Sequence, residues 1–191
     1  MFRLCVGTMV IRWRRFNINL LGTTLLLAFL AGCVTTGSKS GQHIATLRVH
    51  LEVNPDGTDR NIRVPIYRAN PILLNVQTSP ILNEAFVAQA SLVDTLGGFK
   101  LVIQFDTRGT RLLEQFSATN PGKHFAIATQ FAKSTNETRW LAAPLVSRRI
   151  PDGVLSFTPD ATREEAEEIV RGLNNAAIQN GNQPKPKAPA K

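Results

Sequence analysis

Between residues 43 and 180 apolar side chains recur mainly at every second position, and that period of two is what most restricts the fold. From Leu47 to Val53 the residues Leu47, Val49, Leu51 and Val53 are apolar while Arg48, His50 and Glu52 intervene, which predicts a strand with one dry and one wet face. Asn54-Pro55-Asp56-Gly57 follows as a turn, and Ile62, Val64 and Ile66 alternate again, so residues 44–53 and 62–66 are expected to pair as an antiparallel hairpin with 44–53 at a sheet edge. A shorter apolar run covers Ile72 to Gln77, and Asn83 is a cap for a brief helix through Phe86. A second hairpin is expected from Ala88 to Phe105 around Gly97-Gly98.

The period changes at Thr107. Leu112, Leu113 and Phe116 fall at helical spacing, predicting a helix over 108–119 that ends at Asn120-Pro121-Gly122. Three further apolar runs follow, Phe125 to Phe131, Trp140 to Val146 and Val154 to Phe157. Thr162 with Glu165 three residues on forms a capping box, and Ala166, Ile169, Val170, Leu173 and Ala177 give the closing helix its apolar stripe. The acids Glu164, Glu165, Glu167 and Glu168 complement the positive end of that helix and are read as a solvated face. The expected class is α+β: a mixed, mostly antiparallel sheet with two main helices on one face, preceded by a β-hairpin.

Charge placement narrows the partners. The 191 residues carry 22 basic and 14 acidic side chains, but eight of the basic ones lie in the terminal segments, so residues 43–180 are formally neutral. A basic surface suited to nucleic acid is therefore not expected on the domain, and no nucleic-acid partner is assigned.

Residues 1–19 hold four arginines and no acid, and Leu20 to Gly32 is uninterruptedly apolar or small. As a helix these residues span roughly 20 Å, short of a ~30 Å hydrocarbon core, so a signal peptide is expected and not a membrane span. Leu30-Ala31-Gly32-Cys33 resembles the lipobox of bacterial lipoproteins. That resemblance implies cleavage between Gly32 and Cys33, a diacylglycerol on the Cys33 thiol, and a protein tethered to the membrane on its extracytoplasmic face through lipid. Residue 34 is Val and not Asp, which by resemblance to lipoprotein sorting in some Gram-negative bacteria implies the outer membrane. The only other cysteine, Cys5, leaves with the signal peptide, so no disulfide or cysteine metal site is expected. The chain thus divides into a signal peptide (1–32), a flexible lipid-anchored linker (33–42), the α+β domain (43–180) and a Pro/Lys tail (181–191) read as extended, either simply solvated or resting on headgroups or cell wall.

No catalytic constellation emerges. There is no Gly-x-Ser-x-Gly, Gly122-Lys123 lacks the rest of a phosphate loop, and His43, His50 and His124 lie far apart and read as surface residues. Asn136-Glu137-Thr138 matches a glycosylation sequon without consequence in a bacterial host. No enzyme activity, cofactor or metal is expected.

One wider resemblance covers Ile72 to Ala177. Gly109, Phe116 and Thr119, then Gly122 with Ala126-Ile127, Ala143-Pro144, Ile150 with Gly153, Phe157-Thr158, and Glu165-Ala166 with Leu173 follow an order that resembles the large periplasmic domain of SecD, the proton-driven accessory subunit of bacterial protein export. The resemblance implies a ferredoxin-like α+β fold. Two departures stand out: Thr129-Gln130-Phe131 runs into a longer loop where SecD turns at Asp-Gly, and no transmembrane helices are recognised. What can carry over is contact with an exported polypeptide or an envelope protein, with Val49 on the expected edge strand and the aromatics Phe131 and Trp140 as candidate binding residues. The alternative is a purely structural envelope lipoprotein that contacts wall or lipid through its basic tail.

Overall fold

A computed structural model describes residues 43–131 and 138–182, which all fall within one unit, Gly41–Lys191. The chain order is β1 (Thr46–Leu51), β2 (Asn61–Ile66), β3 (Ile72–Gln77), β4 (Leu82–Asn83), a 3₁₀ turn (Glu84–Phe86), β5 (Val87–Thr95), β6 (Gly98–Phe105), α1 (Thr107–Thr119), β7 (Phe125–Gln130), β8 (Arg139–Ala142), β9 (Val154–Phe157) and α2 (Arg163–Gln179). The class is α+β, as expected, and all strand pairs among the described residues are antiparallel. In place of one mixed sheet the strands form three: β4-β1-β7-β8, β2-β3 and β5-β6-β9.

The main core lies where these layers meet. Leu47, Val49, Phe125, Ile127 and Leu141 of the four-stranded sheet are buried with Leu101, Ile103, Leu113, Ile169 and Leu173. Helix α1 starts because the Asp106 carboxylate accepts the Gly109 N–H at 2.7 Å, and α2 because Thr162 and Glu165 form the reciprocal capping box. Both helices approach their neighbours through a glycine. A Cβ on Gly109 would stand 2.8 Å from Phe86 Cβ, and one on Gly172 would stand 2.5 Å from the backbone nitrogen of Ala45.

The early strands pair differently from the sequence expectation. β2 pairs with β3 and not with β1, Ile62 lying opposite Val76 and Ile66 opposite Ile72. This hairpin covers the second face of the four-stranded sheet, burying Val64, Ile66 and Val76 against Ala126 and Ala143 as a smaller core, with Tyr67, Leu74 and Trp140 packed on it. The small side chains of Ala126 and Ala128 let it come close. The face of β1 expected to be wet is therefore dry at its middle, where His50 is 5% exposed, while Arg48 stays exposed and Glu52 half-buried. β1 is also interior, not an edge. β7 lies along one side of it, and its other side is closed by the Val49–Leu82 pair, the Ile81 N–H to Val49 carbonyl bond of 2.8 Å, and the Val53 N–H to Asn75 carbonyl bond of 2.9 Å.

Candidate functional site

The residues singled out from the sequence do not assemble into one surface. Gly32 and Cys33 lie outside the described residues, as do residues 132–137 of the polar loop and residues 183–191 of the tail. Val49 is fully buried in the interior strand β1, which corrects its expected place on a free edge: β7 and β4, distant in sequence, occupy both of its sides. Phe131 is half-buried against the main core with the Arg139 guanidinium 5.5 Å from its ring centroid, whereas Trp140 packs on the smaller core with its ring 5.2 Å from His50. The two aromatics thus serve different cores.

His50 is not a surface residue. Its Nδ1 lies 2.7 Å from the Gln77 carbonyl oxygen, and because a carbonyl only accepts, Nδ1 carries the proton. Burial lowers the pKa of this ring, and the charge of Arg48 adds to the lowering against the opposing bond to Gln77. His124 instead meets Glu52, whose Oε2 accepts the His124 backbone N–H at 2.8 Å and lies 2.7 Å from Nδ1. Burial raises the Glu52 pKa, but its bonds to His124 outweigh that and leave it below the ordinary carboxylate value.

The acids of α2 are not all solvated. Glu165 takes the Arg139 guanidinium in two bonds of 2.6 and 3.0 Å, while Arg139 also donates to the Asp160 carbonyl at 2.6 Å. Asp160 in turn accepts the Arg68 backbone N–H at 2.7 Å, tying the end of β2 to the start of α2. The bond from Arg139 holds the Glu165 carboxyl below its usual range. Sequence spacing gives no sign of this cluster, since Arg139 and Glu165 are 26 residues apart and meet only through the fold. Among the described residues no three His, Cys, Asp or Glu side chains gather closely enough to hold a metal ion, and no helix is long and apolar enough to cross a membrane.

A groove of about 540 Å³ lies between β9 and residues 144–150. Its walls are the free edge of β9 and the segment around Leu145, an isolated bridge beyond β8. On one side β9 pairs, among the described residues, with β6 alone: the Phe105 N–H bonds the Gly153 carbonyl at 3.0 Å, and the same register makes Leu155 and Phe157 the hydrogen-bonded partners of Ile103 and Leu101. Parity then turns the N–H and C=O of Ser156 away from β6, on the groove side. On the other side Leu145 bridges His124, with the Phe125 N–H bonded to the Pro144 carbonyl at 3.0 Å and the Val146 N–H to the Lys123 carbonyl at 2.8 Å. Pro144 and Val146 face the β7 side, so the backbone groups of Leu145 face away from it. The Leu145 side chain is 56% exposed. Arg148 and Arg149 line the groove with a single acid, Asp152, whose Oδ1 accepts the Val154 N–H at 3.2 Å; Arg149 also pairs with Glu114. Sequence reading missed this site because two edges 11 residues apart in the chain become facing walls only after β9 joins β6.

No family model matches the chain. Over 126 residues, 65% of its length, it is 31% identical to the protein translocase subunit SecD of Rhodothermus marinus, of which it spans 18%. Among solved structures, it is similar to SecDF in a super-membrane-facing form at 19% identity and TM-score 0.49, covering 70% of this chain and 19% of that one. It is also similar to a structure described as a membrane component SecDF that enhances protein export, at 17% identity and TM-score 0.49, covering 86% of this chain and 71% of that one. The resemblance to SecD drawn from the sequence therefore stands, for a chain that spans about a fifth of the length of the curated relative.

Proposed function

We propose that this chain is a membrane-tethered, extracytoplasmic accessory module that binds polypeptides in transit or envelope proteins and catalyses no reaction. The observation that carries this reading is its sequence similarity to a protein translocase subunit, confined to about a fifth of that subunit. The Leu30-Ala31-Gly32-Cys33 lipobox supports a lipid tether at Cys33, and Val34 supports the outer membrane. One acyl chain binds only reversibly, so two or three on Cys33 would hold the module durably. The groove between the edge of β9 and the Leu145 segment supports polypeptide as the bound class, because an unfolded chain offers the backbone groups that such edges lack. The rival reading, a structural lipoprotein resting on wall or lipid, depends on residues 181–191, most of which lie outside the described residues.

Two measurements test this. Mass spectrometry of the native protein should find Cys33 as the first residue with a diacylglyceryl thioether; residues 1–32 still attached to a bare thiol would remove the tether. Photoreactive side chains at Leu73 and Leu145, 54% and 56% exposed, should crosslink pulse-labelled exported polypeptides in intact cells. Capture of none from either position would rule out the binding role.

A further inference from the structure

We propose, building on the polypeptide-binding reading, that the groove between β9 and residues 144–150 takes an extended acidic segment as an inserted strand, pairing with Ser156 on one side and Leu145 on the other. Such a strand would extend both sheets at once. Its backbone groups would alternate between the outward N–H and C=O of Ser156 and those of Leu145, which is the arrangement that strand addition requires. β9 has four residues and is bracketed by Pro151 and Pro159, which limits the insert to a short stretch and keeps these edges from recruiting longer strands.

The charge of the walls selects the occupant. The lining carries two arginines against one acid, Asp152, whose charge remains although it accepts the Val154 N–H; Arg148 is exposed with no ion pair among the described residues, and Arg149, 64% exposed, pairs with Glu114. An inserted segment with acidic side chains on one face and apolar ones beside the exposed Leu145 side chain would match both features.

The test uses the full-length protein in detergent and a fluorescein-labelled nonapeptide, Thr-Val-Glu-Val-Thr-Val-Glu-Val-Thr, with a counterpart carrying Lys for Glu. The acidic peptide should bind more tightly than the basic one, and Arg148→Glu should reverse that order by about tenfold. Ser156→Pro, which deletes one edge N–H while leaving the β6 bonds intact, should weaken binding by about tenfold. N-methylation of the peptide at either odd or even residues should weaken binding too, since an inserted strand uses both of its edges. Loss at one parity alone would overturn insertion in favour of one-sided addition. Binding indifferent to Arg148→Glu and to both methylation patterns would sink the groove assignment even if Ser156→Pro failed to fold, and would leave the polypeptide-binding reading intact. No binding by the acidic peptide while crosslinks to exported chains persist would likewise overturn the groove alone. Absence of both would sink the two together.

Discussion

His50 shows how a single residue's environment is decided by chain far from it. Its neutral ring is buried between Trp140 and the Gln77 carbonyl, and its pKa is lowered from the ordinary 6.5. The unfolded chain gains a proton on this ring near pH 6.5 before the folded chain does, so the stability His50 confers is complete above that pH and is lost as pH falls toward the folded value. Glu52 and Glu165 are depressed below 4.5, and their contribution is present above that pH and lost as pH falls through their lower folded values. Urea midpoints followed from pH 8 to pH 3 should therefore decline in two windows, and His50→Asn should remove the first while sparing the second. A midpoint flat between pH 7 and pH 5 in the unmodified protein would contradict the buried neutral ring. Arg139→Met should cost about 2 kcal/mol in the same assay, less than a fully buried ion pair because 20% of its side chain and 30% of that of Glu165 are exposed. Alternation in the sequence says that Arg48, His50 and Glu52 share a face. Whether that face meets water depends on a hairpin that local pattern cannot place, so His50 reads as a surface residue from sequence alone, whereas Val49 lies on the opposite face and loses its expected free edge to β7 and β4.

At the scale of elements, the parts defined by nearby residues were legible and the parts defined by long-range pairing were not. The capping box of α2, the cap of the 3₁₀ turn at Asn83, the β5–β6 hairpin and the four residues of β9 follow from local chemistry, and each lies where the sequence places it. The partner of β2 does not follow from local chemistry. The sequence reading pairs it with β1, but β3 takes that place because β1 is already held by β7 and by residues 81–82. Gly172 tests how closely α2 must approach β1. Replacing it with Ala adds about 1 kcal/mol of helix propensity, yet the new methyl meets the backbone nitrogen of Ala45 at 2.5 Å, where no side-chain rotation can relieve it. The overpacking cost of about 1–3 kcal/mol should win, and thermal unfolding of Gly172→Ala should show a net loss of about 1–2 kcal/mol. An unchanged or raised Tm would mean that α2 can lift off β1 without penalty.

For the whole molecule, the residues that carry the resemblance to SecD are mostly ones that hold the fold. Ala126, Ile127, Phe157 and Leu173 are buried, Gly109 sits where Phe86 and Phe105 leave no room for a Cβ, and Glu165 both caps α2 and grips Arg139. Similarity of this kind transmits architecture and says little of what is bound, so function has to be sought where the architecture leaves backbone unpaired. Among the described residues the two cores also differ in size, with twenty buried residues in the main one and five in the smaller one, Val64, Ile66 and Val76 of the hairpin with Ala126 and Ala143. The smaller core should open first, since few apolar contacts and the bonds at Gln77 and Asn75 hold the hairpin down. Native-state hydrogen exchange should then show Val64 and Val76 amides exchanging through a sub-global opening, while Leu101, Ile103 and Ile127 exchange only through global unfolding. Ile66→Ala, which removes a fully buried side chain from the smaller core, should weaken hairpin protection by about 3 kcal/mol and the main core by less. Equal loss at both sets of amides would mean that hairpin and main core unfold as one unit, and that the hairpin is an integral layer of the domain rather than a cover closed over the four-stranded sheet.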